Sequence, residues 1–163
     1  TGEPLIGNEV FAVHLADDLC INDGDSVLKQ IVGVYNKYQC SVVAIEEVPI
    51  DQTDKYGIIA GDLVDGTNDT YRVTDMVEKP NSKDAPTNMA IIGRYILTPD
   101  IFNILRSIAP GKGGEIQITD ALLILAKQGK VVAYNFKGKR FDCGSIEGYL
   151  EATHYFAKKQ GVL

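Results

Sequence analysis

A short apolar run, an amphipathic helix and a second apolar run constrain this chain more than any other feature of its sequence. Val10 to Leu15 contains β-branched and aromatic residues and ends at an acidic pair, which predicts a buried strand. Apolar residues then recur at helical spacing between Asp25 and Tyr38, with Asp25 or Ser26 available as the cap. Because Ser41 to Val48 has the pattern of another strand, we expect a parallel crossover unit with a right-handed connection.

The rest of the sequence predicts a layer of hairpins followed by helices. Glycine, asparagine and aspartate residues punctuate the middle of the chain and separate three predicted strands: Tyr56–Ala60, Tyr71–Glu78 and Met89–Leu97. Capping residues and glycine stops predict the remaining elements: a helix opening at Thr98-Pro99-Asp100, a helix from Thr119-Asp120 to Gly129, the strand Val131–Phe136 and a helix from Ser145 to about Gln160. These elements together describe an α/β domain.

Composition limits the partners that such a domain can have. The 163 residues and 45% hydrophobic content suit one core, and a net charge of −6 gives no general attraction to nucleic acid or anionic lipid. The apolar runs fall far short of the roughly 20 residues of a membrane span, and the first residues do not resemble a secretory signal. Three cysteines without a close pair indicate neither a disulfide framework nor a zinc site. We expect a single cytoplasmic domain, residues 1–163, that binds neither nucleic acid nor membrane.

Two acidic segments follow predicted strands, where carboxylates can reach the ligand crevice of an α/β sheet. Asp17 and Asp18 come directly after the first strand, and Asp142 precedes Cys143-Gly144-Ser145. Mg²⁺ prefers oxygen ligands and commonly binds through one or two carboxylates, with substrate phosphates and water in the other positions. A magnesium site that draws on both segments is one interpretation. The other is a solvated turn at Asp17 and an ordinary turn with a helix cap at Asp142.

A charged pair, Glu78-Lys79, closes a predicted strand and is held at its tip by Pro80. A glutamate in that place can accept hydrogen bonds from sugar hydroxyls, and a lysine ammonium can neutralise a phosphate as a point charge. The alternative is a surface ion pair that closes a hairpin and contributes little.

Gly57 and Gly93 lie within strand-like runs, where glycine weakens a strand unless a backbone or a ligand must come close. A sugar ring is one such ligand, and a β-bulge is the alternative. The glycine-rich segment 111–115 lacks the Gly-Lys-Ser/Thr ending and the preceding strand of a P-loop. It is therefore predicted to be a turn between helices, with Glu115 and Gln117 as possible binding groups.

Taken in order, a series of motifs resembles the bacterial UTP–glucose-1-phosphate uridylyltransferases. The series spans nearly the whole chain and consists of Leu5-Ile6-Gly7-Asn8-Glu9, Phe11-Ala12-Val13, Leu15-Ala16-Asp17-Asp18-Leu19, Lys55-Tyr56-Gly57, Val77-Glu78-Lys79-Pro80, Gly93-Arg94-Tyr95, Gly114-Glu115-Ile116-Gln117-Ile118-Thr119-Asp120-Ala121 and Asp142-Cys143-Gly144. The resemblance implies a three-layer Rossmann-like nucleotide-diphospho-sugar transferase fold, with a mixed, mainly parallel sheet that is incomplete at the N-terminus.

The resemblance also implies a reaction and a set of roles. Glucose 1-phosphate would attack the α-phosphate of UTP with the assistance of Mg²⁺, giving UDP-glucose and pyrophosphate. Asp17 would be a catalytic metal ligand and Asp142 a second acid on the metal side. Gly57 and Glu78 would hold the glucose and Lys79 its phosphate, as a catalytic and binding residue, while Gly93 would sit beside the sugar.

The sequence departs from the family pattern in one respect. The glycine-rich segment with its arginine and lysine, which in this family cradles the triphosphate and binds uracil, is absent from the 163 residues. We therefore expect this polypeptide alone to have little or no uridylyltransferase activity, and we expect it to form a homo-oligomer. The alternatives are a sister nucleotidyltransferase that uses another sugar phosphate and a non-catalytic sugar-phosphate-binding module.

Overall fold

A computed structural model describes residues 2–111 and 114–163 of the chain. Residues 112 and 113, in the segment predicted to be a turn, lie outside the described residues. The helices are α1 Glu3–Ile6, α2 Val27–Tyr38, α3 Ile101–Ser107, α4 Ile118–Lys127 and α5 Ile146–Lys159, with a 3₁₀ helix at Ile50–Lys55. The strands are β1 Phe11–His14, β2 Asp18–Ile21, β3 Ser41–Glu47, β4 Gly57–Leu63, β5 Thr70–Glu78, β6 Met89–Leu97, β7 Val131–Asn135 and β8 Lys139–Asp142.

The start of α2, the end of α4 and both ends of α5 follow the capping residues and glycine stops seen in the sequence, whereas α4 begins at Ile118 with Gln117 rather than Thr119 in the cap position. The Ser26 side chain accepts a hydrogen bond from the backbone N–H of Lys29 at the start of α2, and Ser145 accepts one from Gly148 at the start of α5. Gly129 and Gly161 stop the helices before them with φ of 72° and 70°, in the left-handed region that favours glycine. These predicted boundaries are confirmed.

Six strands form one mixed sheet in the order β1-β6-β3-β7-β5-β4. The mixed α/β fold is confirmed, but the expectation of a mainly parallel sheet is wrong. Among the described strands β3 and β7 pair in parallel, while β1–β6, β3–β6, β4–β5, β4–β6 and β5–β7 are antiparallel. The physical reason is the return of β6 between β1 and β3, which pairs antiparallel with both and separates the two strands of the predicted crossover unit.

The sheet is buried on both faces, which gives the fold three layers. Along β3, Val43 and Ile45 belong to a core cluster on the side of α3 and α4, while Val42 and Ala44 belong to the cluster on the side of α2. This alternation follows from the two-residue period of a strand. Because both faces are covered, β3 reads in the sequence as a continuous apolar run.

A second, two-stranded sheet joins distant parts of the chain. In it β2 pairs antiparallel with β8, and Asp18 lies opposite Asp142. The pairing brings the two acidic segments of the sequence together. Within the described residues, no helix is long and apolar enough to cross a membrane.

Candidate functional site

A cleft of about 990 Å³ opens where the two sheets meet. All of the site residues predicted from the sequence line it: Asp17, Gly57, Glu78, Lys79, Gly93 and Asp142. The structure therefore brings together positions that are up to 125 residues apart in the chain, between Asp17 and Asp142. What each of them binds stays a prediction.

One end of the cleft is built around Glu78, the last residue of β5. Its Oε2 accepts a hydrogen bond of 2.6 Å from the hydroxyl of Thr119 on α4, and its side chain is only 14% exposed. Gly57 lies opposite Glu78 in the β4–β5 pairing. A Cβ at Gly57 would stand 3.0 Å from Thr119 Oγ1 and 3.2 Å from Glu78 Oε2, so the glycine leaves the room in which this hydrogen bond forms.

Lys79 follows Glu78 in a backbone conformation that non-glycine residues rarely adopt, with φ of 46°. Its backbone N–H donates a 2.9 Å hydrogen bond to the carbonyl of Tyr56, which fixes the turn out of β5. The ammonium lies 4.0 Å from Glu78 Oε1, and half of the side chain is exposed. A carboxylate acceptor and an ammonium donor therefore stand next to each other in the cleft.

The other end of the cleft carries the carboxylates of Asp17 and Asp142. A Cβ at Gly144 would lie 3.1 Å from Asp17 Oδ2 and 3.2 Å from Asp142 Oδ1, so both oxygens border the same small space. Backbone groups hold the two segments in place, since Cys143 N–H donates to the Asp17 carbonyl at 2.7 Å and Gly144 N–H to Asp142 Oδ1 at 3.2 Å.

Asp18 and Arg140 form a buried ion pair behind these acids. Their side chains are 9% and 7% exposed, and Arg140 Nε donates to Asp18 Oδ1. The guanidinium also lies 3.2 Å from Asp142 Oδ2 and 5.0 Å from the ring centre of Tyr56. Tyr56 in turn donates a 3.0 Å hydrogen bond to Asp142 Oδ2. Asp142 is thus anchored through Oδ2, which leaves Oδ1 on the side of Asp17.

The pKa values around this pair follow from burial and charge. Burial disfavours the charged guanidinium, but hydrogen bonds and charges from Tyr56 and Asp18 outweigh it and raise the pKa of Arg140. Burial raises the pKa of Tyr95, and the charges of Asp18 and Glu78 raise it further. Arg140 is therefore cationic throughout the physiological pH range. Tyr95 is neutral over the same range.

At Gly93, on β6, contacts within the protein itself leave no room for a side chain. A Cβ there would lie 2.5 Å from Leu15 Cβ and 2.7 Å from Asp18 Oδ2, closer than side chains approach one another. Its N–H donates a 2.6 Å hydrogen bond to Asp18 Oδ2. The tight approach of the turn after β1 accounts for this glycine without a ligand, although the residue also lines the cleft.

The acidic end of the cleft could hold a metal ion through two carboxylates. Among the described residues, no group of three or more histidine, cysteine, aspartate and glutamate side chains is close enough to hold one. The two carboxylates at Asp17 and Asp142 nevertheless fit Mg²⁺, which commonly takes one or two protein carboxylates and fills its other positions with water and substrate phosphates.

Several residues of the cleft were missed by the sequence reasoning. Thr119 was interpreted only as part of a helix start, and Tyr56 and Arg140 received no role. Asp18 was a candidate magnesium ligand together with Asp17, whereas in the structure its Oδ1 is bound by Arg140 and its Oδ2 by the N–H of Gly93. The one available signal was the charged Arg140 in a strand-like segment beside Phe141, where burial requires a partner of opposite charge. Of the other suggested groups, Gln117 lines the cleft, whereas Glu115 is exposed and is not among its described lining residues.

Comparison with known proteins agrees with the sequence motifs. The family model described as Nucleotidyl transferase matches residues 2–159, and the chain therefore belongs to the nucleotidyl transferase family. Its relatives include proteins named UTP–glucose-1-phosphate uridylyltransferase. The protein of that name from Pseudomonas aeruginosa is 64% identical over 156 residues, which are 95% of this chain and 55% of the relative. The one from Staphylococcus epidermidis is 42% identical over 98% of this chain and 54% of its own length.

Solved structures lead to the same group. A UDP-glucose pyrophosphorylase in complex with UDP-glucose has a TM-score of 0.94 and 61% identity, over 98% of this chain and 60% of the other. A UTP-bound enzyme from Acinetobacter baumannii has a TM-score of 0.81 and 34% identity, over 96% and 54% of the two chains. The resemblance inferred from the motifs is confirmed. The chain spans little more than half the length of the relatives that it matches.

Proposed function

We propose that this chain carries the sugar-phosphate site of a UTP–glucose-1-phosphate uridylyltransferase, which forms UDP-glucose and pyrophosphate from UTP and glucose 1-phosphate. The observation that carries the proposal is the cleft, which is lined both by the Glu78–Lys79 pair and by the carboxylates of Asp17 and Asp142. The relatives' names and the solved complex with UDP-glucose support the choice of substrate.

The sugar end of the cleft suits a hexose phosphate. Glu78 can accept hydrogen bonds from sugar hydroxyls, and Gly57, which lies opposite Glu78 on β4, would hold the glucose beside it. Lys79 stands beside Glu78 and can neutralise the phosphate on the anomeric carbon. Gly93 would lie next to the sugar, at the wall that β6 forms.

The acidic end suits the reacting phosphates. Asp17 would hold Mg²⁺, with Asp142 as a second acid, and the bound ion would reduce the repulsion between the attacking and attacked phosphates. Tyr56 and Arg140 orient Asp142 by binding its Oδ2. Nucleotidyl transfer asks mainly for positioning and charge neutralisation, so the phosphate oxygen of glucose 1-phosphate can serve as the nucleophile.

The cellular setting belongs to the same proposal. Three free thiols suit a reducing cytoplasm. Exposed apolar side chains on α5, at Ile146, Tyr149 and Leu150, support association into a homo-oligomer.

The test is a calorimetric titration of the chain with glucose 1-phosphate, galactose 1-phosphate and mannose 1-phosphate in the presence of Mg²⁺. The proposal predicts that glucose 1-phosphate binds most tightly. Preference for another hexose phosphate would favour a sister nucleotidyltransferase instead. Binding of none of the three would contradict the proposal.

A further inference from the structure

The hydroxyl of Thr119 makes the most direct side-chain contact with the carboxylate of Glu78 in the described part of the cleft. The donor–acceptor distance is 2.6 Å, and Thr119 is only 5% exposed. An ionised carboxylate can accept hydrogen bonds but cannot donate them, so the hydroxyl must be the donor. Hydrogen bonds to a charged acceptor are about twice as strong as neutral ones.

This contact gives the two oxygens of Glu78 different surroundings. Oε2 points to Thr119 and to the space at Gly57, whereas Oε1 lies on the side of Lys79, 4.0 Å from its ammonium. The carboxylate is therefore hydrogen-bonded at Oε2 and has the ammonium of Lys79 near Oε1. The hydrogen bond at Oε2 favours one orientation about the last side-chain bond, whose rotation is otherwise broad.

The neighbours of the pair leave little room for another arrangement. The point where a Cβ would stand at Gly57 lies within 3.3 Å of Thr119 Oγ1, Glu78 Oε2 and Ile91 Cδ1. These three groups closely surround the point at which a Cβ of residue 57 would stand. A carboxylate that lost its bond to Thr119 would have to turn toward the open cleft, where a ligand would bind.

Thr119 is carried by a rigid element rather than by a loop. It lies in the first turn of α4, and Ala121, Leu122 and Leu125 of the same helix are fully buried in the core. The hydroxyl therefore has a fixed position relative to the sheet that carries Glu78. Positioning groups on packed elements hold their partners more closely than groups on mobile loops do.

We propose that Thr119 is a positioning residue that orients Glu78 for sugar recognition and so determines how well the cleft distinguishes a sugar phosphate from phosphate alone. This inference rests on the proposed function, because it takes Glu78 as the group that reads the sugar. It assigns Thr119 no contact with the reacting atoms.

The experiment compares Thr119→Val, which keeps the shape and removes the hydroxyl, with Thr119→Ser, which keeps the hydroxyl. Each variant is titrated calorimetrically with glucose 1-phosphate and with inorganic phosphate. Thr119→Val should bind glucose 1-phosphate about tenfold more weakly, which is the effect of one hydrogen bond to a charged group. Its affinity for inorganic phosphate should stay within about twofold of wild type, and Thr119→Ser should stay within about threefold for both ligands.

A matched control is Thr153→Val on α5, an exposed threonine whose hydroxyl bonds the Tyr149 carbonyl. It should bind both ligands as wild type does. Unchanged binding of glucose 1-phosphate by Thr119→Val would overturn the inference, and so would an equal loss of both ligands or a Thr119→Ser variant as weak as Thr119→Val.

Galactose 1-phosphate and mannose 1-phosphate separate this inference from the proposed function. If wild type prefers one of them and Thr119→Val weakens that ligand but not inorganic phosphate, the positioning role stands and the assignment to glucose falls. If glucose 1-phosphate is preferred but Thr119→Val binds it normally, the assignment stands and the positioning role falls. If wild type binds no sugar phosphate, both fall.

Discussion

Gly57 faces Glu78 across the β4–β5 pairing, and side chains already occupy the surroundings of the place where a Cβ would stand. An added methyl group would press on Thr119 Oγ1, Glu78 Oε2 and Ile91 Cδ1. Two of these atoms form the hydrogen bond that orients the carboxylate. At this position the identity of a single residue therefore sets the geometry of the sugar end.

Gly57→Ala should weaken the binding of glucose 1-phosphate by about tenfold and lower the free energy of unfolding by about 1–3 kcal/mol, as overpacking commonly does. Calorimetric titration and urea unfolding measure the two effects. Gly33→Ala on α2 is the control, because nothing lies within 4 Å of its added Cβ. That variant should leave binding unchanged and raise stability by up to about 1 kcal/mol, since alanine favours the helix interior. Wild-type binding by Gly57→Ala would contradict this account.

Residues at the ends of predicted strands were accessible to sequence reasoning. Asp17 and Glu78 each stand at the carboxyl end of a predicted strand, which is where an α/β sheet binds ligands. Thr119 was not accessible in the same way, because its partner lies 41 residues earlier and a threonine in a first helical turn is explained by the helix alone. The contact arises from the packing of α4 on the sheet, which no local pattern encodes.

At the scale of elements, β2 and β8 form the joint that brings the acidic segments together. The buried pair of Asp18 and Arg140 connects the two strands, and the N–H of Gly93 on β6 binds the same aspartate. Replacement of one member leaves a buried charge without its counter-charge, which costs far more than an exposed pair does.

Arg140→Met should therefore lower the free energy of unfolding by about 3–5 kcal/mol, measured by urea denaturation. Arg106→Met provides the control, because its pair with Glu3 is exposed and such pairs contribute about 0–1 kcal/mol. The double variant Asp18→Asn/Arg140→Met should be more stable than the sum of the two single losses implies. In the double variant neither member of the pair remains as a buried charge without its partner. The claim that the buried pair holds β2 and β8 together would be wrong if Arg140→Met lowered the free energy of unfolding as little as Arg106→Met does. Full additivity in the double variant would also contradict it.

The longer elements were predictable and the short ones were less so. The amphipathic period of α2 and the serine cap and glycine stop of α5 placed both helices within a few residues. β2 was not predicted, because it has four residues and begins at an acidic residue that has the pattern of a turn. Such a strand forms only because β8 returns to pair with it from more than a hundred residues away.

At the scale of the whole molecule, the sheet order could not be obtained from the chain order. The pattern of a strand, a helix and a strand predicts parallel neighbours, yet β6 lies between β1 and β3. Insertion of a strand depends on pairings that are remote in sequence. The three layers, in contrast, were implied by the family resemblance, and the burial of both faces of β3 agrees with them.

The 163-residue chain should bind glucose 1-phosphate without converting it. Among the described lining residues the cationic side chains are Lys55, Lys79 and Arg140, and Arg140 is committed to Asp18 and Asp142. That set offers little positive charge for a triphosphate. A coupled assay of pyrophosphate release with UTP, glucose 1-phosphate and Mg²⁺ should give no turnover above the background without protein. Sustained turnover by this polypeptide would show that these residues suffice.

The central claim is that Glu78 reads the sugar and Lys79 its phosphate, and a calorimetric comparison tests it most directly. Wild type, Glu78→Gln and Lys79→Met are each titrated with glucose 1-phosphate and with inorganic phosphate. The controls are Glu47→Gln at the exposed end of β3 and Lys37→Met on α2, both outside the described lining of the cleft.

Glu78→Gln should bind glucose 1-phosphate at least tenfold more weakly and inorganic phosphate within about twofold of wild type, as expected for the loss of charge-assisted hydrogen bonds to the sugar. Lys79→Met should weaken both ligands by about tenfold or more, because the phosphate loses its counter-charge. The two control variants should match wild type. If Glu78→Gln and Lys79→Met both bind glucose 1-phosphate as tightly as wild type, the roles assigned to this pair are wrong.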